Sequence, residues 1–283
     1  MITKYDNAIS HIYVNKIIKG ENLWDTQKNI VVEERWHQKK EELEKKIRKN
    51  NLLKMDTINK VKSISIWIFI VPFFAINTCL VLITSFHDLF PNKEHIIHFT
   101  IPYIDGGASI SRTARVFPTY LIFKPAMFLT AYLLIRYWLY IKKIILNIHG
   151  EHKNLGKILI FGIGSAICLI IHSIFLGIKF DFDLYKLFRR VIMLVFIIFE
   201  VVAQAYLVVT LYSIKNKLLS FINLKFLKLK AILVSILVFV MIASIPIVSM
   251  PGNKHIKHAL EWDFFLGVIL FYVLTFFMWK KQN

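Results

Sequence analysis

The sequence predicts an all-α membrane protein, with six transmembrane helices and a charged N-terminal cytoplasmic helix. Three observations predict it. First, the chain contains six long apolar stretches, and a hydrocarbon core of about 30 Å takes roughly 20 apolar residues of helix. Second, 56% of its residues are hydrophobic and its mean hydropathy is +0.55. Third, the basic residues are unevenly shared: 25 fall in residues 1–62, alternate loops and the tail, against 9 in the remaining loops. The positive-inside rule places the richer set, and with it both termini, in the cytoplasm. Backbone polar groups in lipid must be satisfied within their own segment, so the apolar runs are helices rather than strands.

A net charge of +18 would suggest a nucleic-acid partner in a soluble protein. Here attraction of the basic loops to anionic headgroups accounts for it, so the expected partners are membrane lipids and no nucleic acid. The first 60 residues are polar and charged, so no cleavable signal peptide is expected and the first span acts as its own insertion signal. Cys79 and Cys168 both sit in apolar spans and read as packing residues.

Two regions follow: a cytoplasmic arm, residues 1–62, and a six-helix transmembrane domain, residues 63–283. Met1–Thr26 has no clean period. Gln27–Asn51 lacks Gly and Pro and reads as an amphipathic helix, with Val32, Trp36, Leu43 and Ile47 on one side and pairs such as Glu41/Lys45 on the other. It reads either as a solvated helix or as one that binds a protein partner.

The spans are Ile64–Phe86, Pro118–Ile141, Ile158–Ile178, Val191–Ile214, Ala231–Met250 and Phe264–Trp279. Leu260 and Trp262 extend the last outward. Pro72 and Pro246 predict kinks in the first and fifth. In the second, Lys124 and Arg136 lie near opposite ends and read as snorkelling anchors. In the third, Gly162, Gly164 and Ser165 form a small-residue surface for close helix approach. In the fourth, Glu200 and Gln204 lie one turn apart near mid-depth, with His172 of the third span nearer the outside. Such intramembrane polar groups either hydrogen-bond between helices or handle a substrate or proton.

The longest outer loop, His87–Phe117, is the expected recognition element. Its run Pro102-Tyr103-Ile104-Asp105-Gly106-Gly107-Ala108 ends in small residues that favour a tight turn. Arg112 and Arg115 follow, and arginine suits bidentate capture of a lipid phosphate. Asp105 and Arg115 are expected to pair, with Glu261 and Trp262 meeting them from the start of the sixth helix. His95, His98, His255 and His258 are weak metal candidates, since imidazole ligates zinc but no HExxH or cysteine pair accompanies them. No cofactor is expected.

With its long outer loop, the Pro-aromatic-Ile-Asp-Gly-Gly run at 102–107, and Arg115 and Phe117 at the entry to the second helix, the chain resembles the DRAM/Sfk/FGF-receptor-activating-gene family of six-span membrane proteins. The Glu261-Trp262 pair opening the last helix is similar to that family's final segment. The match departs from the family at Ile104, which stands where a serine precedes the aspartate, and at the additional Arg112. The resemblance implies a lipid-associated, non-catalytic regulatory or lipid-handling role. Two other readings compete: an intramembrane, metal-assisted lipid hydrolase or acyltransferase using the histidines and Glu261, and a small transporter using Glu200, Gln204 and His172. The first needs the two histidine clusters to converge. The second is weakened by the absence of an inverted repeat.

Overall fold

The computed structural model describes residues 23–178, 183–250 and 252–280. Residues 1–22 of the expected arm lie outside them. The chain divides into two compact units, Met1–Lys54 and Met55–Asn283.

Helix α1 (Leu23–Ser85) begins in the first unit and ends in the second. In the first unit Glu41 pairs with Lys45 at 2.8 Å, the expected acid-before-base spacing. Trp36 and Leu43 are exposed, and Lys40 lies over the Trp36 ring. The side chains of Val32 and Ile47 lie outside those described.

The second unit is all-helical. After α1 come two 3₁₀ turns, His87–Leu89 and Lys93–His95, then the short helices α2 (Pro102–Asp105) and α3 (Ile110–Ala114). The long helices are α4 (Tyr120–His149), α5 (Leu155–Phe175), α6 (Asp183–Ser213), α8 (Leu224–Ser249) and α9 (Lys254–Met278), with the short α7 (Lys215–Leu218) between α6 and α8. Proline lies inside α1 (Pro72), α4 (Pro125) and α8 (Pro246). The chain end is pinned to the α7–α8 turn by an antiparallel bridge between Ile222 and Trp279.

Five segments are long and apolar enough to cross a membrane: Met55–Ser85, Leu155–Phe175, Leu187–Ser213, Leu224–Ile247 and Lys254–Met278. They make this a multi-pass membrane protein. The expected second span lies in α4, which has the length but is diluted by Lys124, Arg136 and several tyrosines. Both span cations, Lys124 and Arg136, are engaged. Lys124 Nζ donates to Ile174 O, and Arg136 donates to the hydroxyls of Tyr132 and Tyr140.

The core of the bundle is aromatic, with Tyr137, Trp138, Trp262, Phe271, Tyr272 and Trp279 fully buried. The small-residue surface of α5 does what its composition suggested. A Cβ on Gly162 would lie 2.5 Å from the Trp138 ring, and one on Gly164 would lie 2.8 Å from Phe199. Large apolar side chains such as Phe74, Ile160, Val209 and Phe239 face outward, as expected where the surrounding solvent is lipid.

Candidate functional site

Three arrangements bring the sequence candidates together. The first seats the 100–108 loop on the start of α9. Pro102 opens α2, where a missing N–H costs nothing. Gly106 closes it at φ +60, where a Cβ would stand 1.8 Å from His255 O, so only glycine fits. His255 Nδ1 lies 3.2 Å from Asp105 O and His258 Nδ1 lies 3.0 Å from Gly106 O. Trp262 Nε1 donates to Ala108 O at 2.8 Å, and its ring meets Tyr103 edge-on. Tyr103 OH donates to Asn77 Oδ1, tying the loop to α1 as well.

Asp105 is satisfied inside this loop. Its carboxylate accepts from Thr100 Oγ1 at 2.5 Å, Gly107 N at 2.8 Å and Ile101 N at 2.9 Å. The expected Asp105–Arg115 pair is not formed. A hydroxyl and two backbone amides five residues or fewer away leave the carboxylate no need of a guanidinium. Trp262 meets the loop at Ala108 and Tyr103 rather than at Asp105 or Arg115, and Glu261 lies against the Ile110 and Ser111 amides of α3.

The Thr100 hydroxyl foremost, then the two amides, holds the Asp105 carboxyl below its ordinary pKa. A carboxyl depressed in the folded state lends stability above its unfolded pKa, about 3.9, and loses it as pH falls through the folded value. Amide-exchange protection at Ile101 and Gly107, corrected for intrinsic rates, is therefore expected to stay constant from pH 7 to 5 and to fall below about pH 4. In Asp105→Asn that pH step should be absent.

The second arrangement is an open recess beside Arg115. Asn92, His95, Tyr120 and Arg189 line it with Arg115, among apolar walls formed by Pro91, Val116, Phe117 and Ile178. Gly177, at φ +86, lets the α5–α6 connection pass Arg115 O, which a Cβ would approach to 2.8 Å. Arg189 Nη2 donates to Ser111 Oγ at 3.3 Å, while its buried Nε has no partner. Among the residues whose side chains are described, the ion pairs join Lys45 to Glu41 and Lys60 to Asp56, and none of these carboxylates neutralises Arg112, Arg115 or Arg189. Burial, then the charges of Arg189 and Arg112, holds the Arg115 pKa below its ordinary value.

The third arrangement is interior. Glu200 is 1% exposed, and Gln204 Nε2 donates to its Oε1 at 3.1 Å and to Val268 O at 3.2 Å. Tyr272 OH also bonds Oε1, and Ser165 Oγ lies 2.6 Å from Oε2. Glu200 and Tyr272 line an apolar cavity with His172, Thr130, Ser111 and Glu261. His172 is buried and its Nδ1 has no partner. Toward the other end of α9, Thr275 Oγ1 accepts from Lys230 Nζ at 2.7 Å and meets Tyr137 OH at 3.4 Å.

Lys230 was expected in a cytoplasmic loop. It is instead fully buried in α8, its ammonium 3.8 Å from the centre of the Phe271 ring. No spacing rule marks it, because its neighbours Lys225 and Lys228 are exposed and read as loop charges. Arg189, in the connection between the expected third and fourth spans, is likewise a site residue that no sequence signal marked. Among the described residues no three His, Cys, Asp or Glu side chains gather to hold a metal. His255 and His258 bond loop carbonyls, His95 lines the recess and His98 is exposed, so the two histidine clusters do not converge. No protein family, curated protein or solved structure matches this chain.

Proposed function

We propose that this is a six-span membrane protein with both termini cytoplasmic and a lipid-associated, non-catalytic regulatory or lipid-handling role, as its resemblance to the DRAM/Sfk/FGF-receptor-activating-gene family implies. The recognition element is the recess between Arg115 and Arg189, which receives an anionic phosphate headgroup. One observation carries this reading: two guanidiniums share a recess with no carboxylate among its described lining residues, and one of them holds a buried, unpartnered N–H. Unpaired buried donors are costly, and a phosphate supplies the acceptors and charge that both arginines lack. The role of loop 87–117 is then to place Arg115, while its Asp105 turn fixes the loop on α9.

The sixth span in this reading is α4, with Lys124 and Arg136 anchoring its ends. The exposed Trp36 and Leu43 on the N-terminal unit offer a surface for a protein partner. An impermeant thiol reagent applied from outside is expected to label a cysteine at Asn92 and to spare cysteines at Glu151 and Asn216, three exposed positions. Labelling at Glu151 would reverse the orientation.

Headgroup binding is tested in nanodiscs. Retention of phosphatidate over phosphatidylcholine, read by native mass spectrometry, should fall about 10- to 100-fold in Arg115→Gln and Arg189→Gln, the loss expected for a charge-assisted contact. Equal retention of both lipids by the parent protein would contradict the reading.

A further inference from the structure

The interior cavity carries chemistry that the arginine recess does not use. Its polar lining is acidic or neutral: Glu200, Glu261, His172, Tyr272, Thr130 and Ser111, with Arg189 as the nearby cation, bonded to Ser111 and within electrostatic reach of His172. The titratable groups facing Glu200 are Tyr272 from α9 and Tyr137 from α4, with His172 and Glu261 elsewhere on the same wall.

Counting hydrogens defines the resting state of Glu200. Ser165 Oγ lies 2.9 Å from Gly162 O and 2.6 Å from Glu200 Oε2, and a hydroxyl has one hydrogen. Both contacts are satisfied if that hydrogen goes to Gly162 O and Oε2 donates its own to Ser165. Oε1 then accepts from Tyr272 and Gln204, and Gln204 uses its second hydrogen on Val268 O. The resulting network is neutral, which a buried carboxyl bonded to Ser165, Tyr272 and Gln204 rather than to a cation requires. His172, whose buried Nδ1 has no partner, lines the same cavity.

We propose that this cavity binds an apolar molecule bearing a primary amine, whose ammonium group replaces the carboxyl proton of Glu200 and pairs with the carboxylate. The exchange balances: the O–H bond of Glu200 breaks, one proton leaves to water, and one cation takes its place. The apolar walls (Ile68, Met127, Leu134, Leu169, Phe196) hold the hydrocarbon, and His172 Nδ1 and the Thr130 hydroxyl are polar groups on the same wall. Glu200 thereby couples occupancy of the cavity to a proton.

The test uses the full-length protein in weakly buffered nanodiscs, with dodecylamine as probe and dodecanol as its neutral counterpart. Dodecylamine should release about one proton per protein and bleach the infrared carbonyl band of a protonated carboxyl; dodecanol should do neither. It should also bind about 10- to 100-fold tighter than dodecanol, the span of one charge-assisted hydrogen bond. Glu200→Gln keeps the size and hydrogen bonds of the neutral acid, so it should remain folded while losing the band, the proton and the preference. Ile197→Phe, which fills the cavity from its wall, should keep the band and lose the response to amine. Absence of the band in the parent protein, equal binding of amine and alcohol, or loss of the response in Glu261→Gln but not in Glu200→Gln would overturn the proposal.

Discussion

Gly106→Ala is expected to unseat the recognition loop from α9. Two terms add. The residue sits at φ +60, a conformation that costs an L-residue about 1–2 kcal/mol. Its new Cβ would also lie 1.8 Å from His255 O, and a backbone carbonyl in the first turn of a long helix cannot rotate aside as a side chain can. The loop must therefore lift, breaking the contacts of His255, His258 and Trp262 together. A loss of about 2–4 kcal/mol, the upper range for a single substitution, is expected in detergent unfolding. A loss no larger than the conformational penalty of about 1–2 kcal/mol would mean that the close approach to His255 contributes nothing.

Gly162→Ala should have the second large effect. The added Cβ meets the fully buried Trp138 indole at 2.5–2.6 Å, so α4 and α5 must separate or the ring must leave its place. Overpacking of this kind costs about 1–3 kcal/mol. It also displaces Ser165, one turn along α5, from Glu200. Thermal stability should fall, whereas Gly156→Ala, open to space on the same helix, should be neutral or stabilising by up to about 1 kcal/mol. An unchanged melting temperature in Gly162→Ala would show that α4 and α5 are not in contact there.

What could be read from residues alone follows from what each signal depends on. Apolar runs declare helices in lipid because composition alone decides solvation, so five of the spans were legible. The α4 segment was legible as a helix, but its two cations and tyrosines blur whether it crosses. Glu200 and Gln204 announced a shared face through their four-residue spacing. Their partners Ser165 and Tyr272 lie 35 and 72 residues from Glu200, where no local pattern reaches. The Gly106–Gly107 turn was visible because glycine marks backbone that other residues cannot adopt. The Asp105 partner was misread because a nearby arginine looks like a better donor than a threonine and two amides that only the folded loop aligns. Lys230 and Arg189 were hidden among other basic residues, since burial leaves no trace in a charge count.

The central claim is that Arg115 and Arg189 together hold a lipid phosphate. Magic-angle-spinning NMR on protein labelled with ¹⁵N-arginine in phosphatidate bilayers measures this contact through dipolar dephasing of guanidinium nitrogen by ³¹P. Strong dephasing is expected from two arginines, one signal vanishing in Arg115→Lys and the other in Arg189→Lys, with the remaining signal weakened in each. Dephasing that is absent in the parent protein, or that survives undiminished when both residues are lysine, would contradict the account.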